Sequence, residues 1–88
     1  MATRSEVYGL VDDERTYQRT KWGPEADVHT PEEWIIYMEH YVLKAKRALV
    51  EEAFPGCRKE AMSAVRKITA MGVAAMESNE TPKRTLDP

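Results

Sequence analysis

The run Thr30-Pro31-Glu32-Glu33-Trp34 constrains this chain more than any other feature. A threonine at the cap can accept a hydrogen bond from the third helical residue, and proline loses nothing at the first helical position. A glutamate three residues after the cap can reach back to the cap N–H. Downstream, Trp34, Ile35, Met38, Tyr41, Val42, Ala45 and Leu49 recur at the spacing of one helical face, with Ile36, Tyr37, Leu43 and Val50 outside it. The pattern predicts a helix over 31–53, about 35 Å long at ~1.5 Å per residue. Its apolar face is wider than one partner helix covers, which implies a second partner such as another copy of the chain.

Two breaks frame this helix. Lys21-Trp22-Gly23-Pro24 ends an earlier segment, because glycine frees the backbone and proline restricts the residue before it. That segment reads as a short amphipathic helix over 5–20, with Val7, Leu10, Val11 and Tyr17 inward and Asp12, Asp13, Glu14 and Arg15 facing water. Phe54-Pro55-Gly56 then turns the chain back into a helix over 57–78, whose small residues Ala64, Ala70, Gly72, Ala74 and Ala75 permit close packing. The polar, proline-containing stretch 79–88 reads as a flexible tail. The expected fold is all-α, a single domain over 1–88. It consists of a long antiparallel helical hairpin with a short N-terminal helix, assembled as an oligomeric helical bundle.

Size and charge exclude several functions. A chain of 88 residues buries only about 60% of its unfolded surface, too little for a deep two-lobed cleft within one copy. With 13 basic and 15 acidic side chains, it lacks the bulk positive charge of a general nucleic-acid binder. The single Cys57 cannot form an internal disulfide and reads as a small packing residue. No apolar run approaches the ~20 residues that cross a bilayer. The first residues hold no apolar signal core. The cytoplasm is therefore the expected location, with no membrane and no nucleic-acid partner.

Metal-binding patterns are thin. Carboxylate-bridged sites need acidic groups one turn apart, and the helices offer only Glu39 and Glu60, with Ser63 three residues after Glu60. His29, in a polar loop, and His40, on a helix flank, read as solvated, since no zinc spacing occurs. Basic residues are more suggestive. Arg19 and Lys21 lie beside Tyr17 and Trp22, an aromatic face with cations of the kind that holds a base and a phosphate. Lys44 lies on the second helix, and Arg58, Arg66 and Lys67 on the third. The competing reading is a solvated charged face with one anchoring tryptophan. No glycine-rich phosphate loop is present.

Several of these motifs occur together in one known family. Asp13-Glu14-Arg15, Gln18-Arg19 and Lys21-Trp22-Gly23, then Thr30-Pro31-Glu32-Glu33-Trp34, Glu39 in the long helix, and the stretch from Arg58-Lys59 to Glu77, follow in order. Over roughly residues 12–84 the chain resembles small phage-encoded MazG-like proteins, relatives of the all-α nucleoside triphosphate pyrophosphohydrolases. Active members are expected to hold Mg²⁺ with Glu-x-x-Glu on one helix and Glu-x-x-Asp on the next. Here His40, Tyr41 and Lys44 follow Glu39, and Ser63 follows Glu60, so the set is incomplete.

The resemblance therefore implies a nucleotide pocket with no catalytic residues, no metal and no cofactor. Tyr17, Arg19, Lys21 and Trp22 are the expected base and phosphate contacts, and Lys44, Arg58, Arg66 and Lys67 further anion contacts. A homo-oligomer, a dimer or dimer-based, is expected to complete the pocket. For a phage-type protein it implies counter-defence in the host cytoplasm, by sequestration of a nucleotide-derived immune signal. Two alternatives stand beside it. One is a Mg²⁺-dependent nucleotide pyrophosphohydrolase using Glu39 and Glu60, and the other a helical inhibitor or adaptor that binds a protein.

Overall fold

Helix α1 starts where a second capping box starts it. In the computed structural model, which describes residues 1–85 and leaves the side chains of Ala26 and Glu52 undescribed, the Glu6 N–H donates to the Thr3 hydroxyl at 3.2 Å. The Thr3 N–H reaches back to Glu6 at 3.4 Å. From this cap α1 runs over Arg4–Trp22. It stops at Gly23, whose φ of 78° lies where side-chain-bearing residues rarely go. The N-terminal helix is thus not short: at 19 residues it exceeds the 17 of the regular α2, Pro31–Arg47.

The Thr30 cap of α2 closes reciprocally, with Glu33 N–H to the Thr30 hydroxyl at 3.2 Å and Thr30 N–H to the Glu33 carboxylate at 2.9 Å. Beyond Arg47 the expected helix to residue 53 changes character. Ala48–Glu52 forms a π turn, closed by the Ala53 N–H on the Ala48 carbonyl at 2.9 Å, and Ala53 is left-handed at φ 42°. Pro55 disfavours helical geometry at Phe54, so the chain must leave the helix here, and the wide turn ends it. Helix α3 then spans Cys57–Ser78.

These three helices make an all-α fold, with no strand among the described residues. Helix α3 is the middle element. Trp34 of α2 packs on Met71 and Ala74 of α3, while Lys44 and Ala48 lie near Glu60 and Ala64, so α2 and α3 run antiparallel. Helix α1 lies on the other flank in the same sense as α3. Val7 and Leu10 lie by Met62 and Val65, and Arg15 reaches Glu77. The small side chains of Ala61, Ala70 and Ala74 are buried and let both neighbours approach α3. No described helix is long and apolar enough to cross a membrane.

Two expectations about faces are overturned. Glu14 and Arg15 do not face water: they are buried together with Gln18, and they form the face α1 turns to the core. Each finds a partner distant in sequence, which is what makes a charged buried face tolerable. Conversely Val7, Leu10 and Tyr17 are exposed, and of the broad apolar face on α2 only Trp34 is fully buried. The tail stays irregular over 79–85, although Asn79 is held by its Nδ2 donating to the His29 carbonyl at 3.1 Å. Residues 86–88 lie outside the described residues.

Candidate nucleotide cleft

An ion-pair network fixes the end of the molecule where α1 finishes and α2 begins. Arg15 makes a bidentate pair with Asp27, one arm at 3.0 Å, and its Nε donates to Glu77 at 2.6 Å. Arg19 donates to the other oxygen of Glu77 at 3.0 Å. Burial opposes the charge on Arg15, but the hydrogen bonds and charges of Asp27 and Glu77 outweigh it and hold the guanidinium above its ordinary range. The network ties α1, the 3₁₀ turn Glu25–Asp27 and the last turns of α3 into one unit. It also borders a cavity of about 380 Å³, but both arginines there are already engaged by carboxylates.

On the opposite side of α1 the arrangement differs. Three smaller cavities meet at Tyr41, on the inner face of α2. The first, about 240 Å³ between α2 and α3, has Lys44, Lys67, Arg47, Phe54 and Glu60 in its walls. A second, about 100 Å³, lies where α1 joins them and gathers Tyr17, Lys21, Trp22 and Lys67 above Gln18. The third, about 320 Å³, is an aromatic chamber walled by Trp22, Trp34, Tyr37 and Tyr41 with His29 and His40. Its rings meet edge to face, His29 with Trp34 at 4.8 Å and with Tyr37 at 5.0 Å.

The cations along this cleft are available. No carboxylate among the described residues pairs with Lys21, Lys44 or Lys67. Lys21 lies over the Tyr17 ring at 5.8 Å, an exposed cation–π contact. Arg47 is tied loosely to Glu51 at 3.5 Å. Two buried polar atoms line the same region without partners, the Gln18 Oε1 and the Trp34 Nε1. Such groups are costly to bury unpaired, about 1–3 kcal/mol each.

Of the residues singled out in the sequence, the cleft brings together Tyr17, Lys21, Trp22, Lys44 and Lys67. Arg19 is drawn to Glu77, and Arg66 is held by the buried Glu14 at 2.8 Å. Arg58 is exposed in the first turn of α3, away from the cavities described. Glu60 borders the Lys44–Lys67 cavity, whereas Glu39 is exposed and lines none of them. Among the described residues no group of three or more His, Cys, Asp and Glu side chains gathers as a metal site would need. His29 is only partly solvated: it is half-buried beside Trp34 and Tyr37, and the Asn79 bond ties its loop to the end of α3. His40 is exposed, with its ring edge-on to Tyr41 at 5.3 Å. Cys57 is half-buried and free.

Tyr41 itself was not recognisable as the centre from its surroundings in sequence. A signal existed, since Trp34, Tyr37 and Tyr41 lie three and four residues apart and must share one helical face. Compared with known families, curated proteins and solved structures, the chain matches no family model, no curated protein and no solved structure.

Proposed function

We propose that this protein is a non-catalytic nucleotide binder whose ligand lies along the cleft at Tyr41. The observation that carries the reading is the convergence of lysines without carboxylate partners, Lys21, Lys44 and Lys67, with aromatic walls from α1 and α2 around one residue. The lysines attract phosphate oxygens by charge-assisted hydrogen bonds. The rings of Trp22 and Tyr41 offer π faces to a base, and a chamber of about 320 Å³ falls within the range of small-molecule sites, ~300–1,000 Å³. The resemblance to phage MazG-like proteins extends this to a biological role, capture of a nucleotide-derived immune signal in the host cytoplasm. That extension rests on the resemblance.

The test is retention and recovery. Purified protein is incubated with linear and cyclic nucleotides, with and without Mg²⁺, separated from free ligand, and heat-denatured, and the released ligand is identified by chromatography. Retention followed by intact release supports the binder. Conversion to a monophosphate with Mg²⁺, lost in Glu39→Gln, would instead establish the pyrophosphohydrolase. Indifference to every nucleotide removes both and leaves the protein-binding helical adaptor.

A further inference from the structure

The outer face of α2 carries a regularity that the chain itself does not use. Apolar pairs recur every seven residues, Ile35-Ile36, Val42-Leu43 and Leu49-Val50, and all six side chains are exposed, from 42% at Leu49 to 69% at Val50. On a wheel of ~3.6 residues per turn, Ile35, Ile36, Val42 and Leu43 fall within about 120°, with Glu39 and Lys46 between their two rows. Leu49 and Val50 are exposed too, but they lie in the π turn, where that wheel no longer applies. Neither Glu39 nor Lys46 has an ion-pair partner among the described residues. The seven-residue period is that of paired helices, with the charged Glu39 and Lys46 standing where a second apolar row would lie.

We infer that two copies of this chain pair through α2, antiparallel, about a two-fold axis passing between Val42 and Leu43. The seam is self-complementary only in that arrangement. Val42 then meets the partner's Leu43 at the axis, and Ile35 and Ile36 face the partner's π turn, which carries Leu49 and Val50. Glu39 meets the partner's Lys46 on both sides of the axis. A parallel pairing in register would set Glu39 against its own copy and Lys46 against its own copy, and like charges inside an apolar seam oppose association.

The exposed area supports the same occupant. A compact monomer of 10.1 kDa exposes about 5,300 Å², whereas this chain exposes 7372 Å². The irregular tail over 79–85 accounts for part of the difference. The whole excess, roughly 2,100 Å², is larger than the ~800 Å² per partner that a standard interface removes. The inference does not depend on nucleotide binding, since Tyr41 and its lysines line the cavities between the helices.

Charge reversal tests the pairing directly. Mass in solution is measured for the full chain over a concentration series, by light scattering and sedimentation, with helicity followed by circular dichroism. The wild type is expected at twice 10.1 kDa. Lys46→Glu and Glu39→Lys each weaken the dimer, by about tenfold or more, and the double exchange restores it. A monomer at every concentration, a mass indifferent to both reversals, or a folded double exchange that stays monomeric overturns the inference.

Discussion

Truncating Asp27 to alanine strips the buried Arg15 of its bidentate partner and leaves it only the Nε bond to Glu77. Arg15 and Asp27 are each 7% exposed, so water cannot replace the lost carboxylate. Breaking one side of a buried pair costs about 3–5 kcal/mol. Because Glu77 is half open to solvent and keeps one bond, the expected loss is near the lower bound, about 3 kcal/mol. For a domain of this size each kcal/mol lowers Tm by ~4–8 °C, so Asp27→Ala should melt roughly 12–24 °C below wild type. Glu77→Ala leaves the bidentate pair intact and should cost about 1 kcal/mol. The measurement is thermal unfolding by circular dichroism at neutral pH, with a urea midpoint as a check. If Asp27→Ala melts within a few degrees of wild type, or Glu77→Ala is the more damaging, the network is not what holds α1 to the turn before α2.

Other perturbations separate stability from binding. Lys67→Ala and Lys44→Ala should each weaken nucleotide affinity about tenfold with little effect on Tm, while Arg58→Ala leaves affinity unchanged in the same binding titration. Trp34→Ala empties the centre of the core and should cost about 3–5 kcal/mol by denaturant unfolding. At Glu33, the backbone N–H of Thr30 and then its side chain hold the carboxyl below its ordinary 4.5. A carboxyl with a depressed pKa contributes stability above its unfolded value that is lost as pH falls through the folded one. The wild type should therefore lose stability below about pH 4.5, and Glu33→Gln should show a flatter acid limb.

The starts of the helices could be read from the chain, and their partners could not. Thr30 and Glu33 announce α2, and the same code at Thr3 and Glu6 starts α1, where it is as legible and fixes the helix one residue earlier than apolar spacing alone suggests. Apolar spacing failed on α1 because its inward face is ionic. Glu14 meets Arg66 and Arg15 meets Glu77, partners separated by 52 and 62 residues, and local periodicity carries no trace of them. The cleft followed the same rule. Tyr17, Lys21 and Trp22 are visible together because one helix holds them, and so is the 34–37–41 aromatic row. That Lys67 joins both depends on α3 lying between α1 and α2. The surplus apolar face of α2 was evident in the sequence, and its two-fold pattern becomes meaningful once exposure shows which residues the monomer leaves uncovered.

Both tryptophans of the chain, Trp22 and Trp34, line the aromatic chamber, so their fluorescence reports on the proposed base site without any label. The most direct test is a fluorescence titration of wild type and the Lys44→Ala/Lys67→Ala variant with the linear and cyclic nucleotides. Occupation of the Tyr41 cleft requires a saturable change in wild type, independent of Mg²⁺, that the double variant loses while its far-ultraviolet spectrum is unchanged. Tryptophan emission that stays constant with every nucleotide, or that responds equally in both proteins, would contradict nucleotide binding at this cleft.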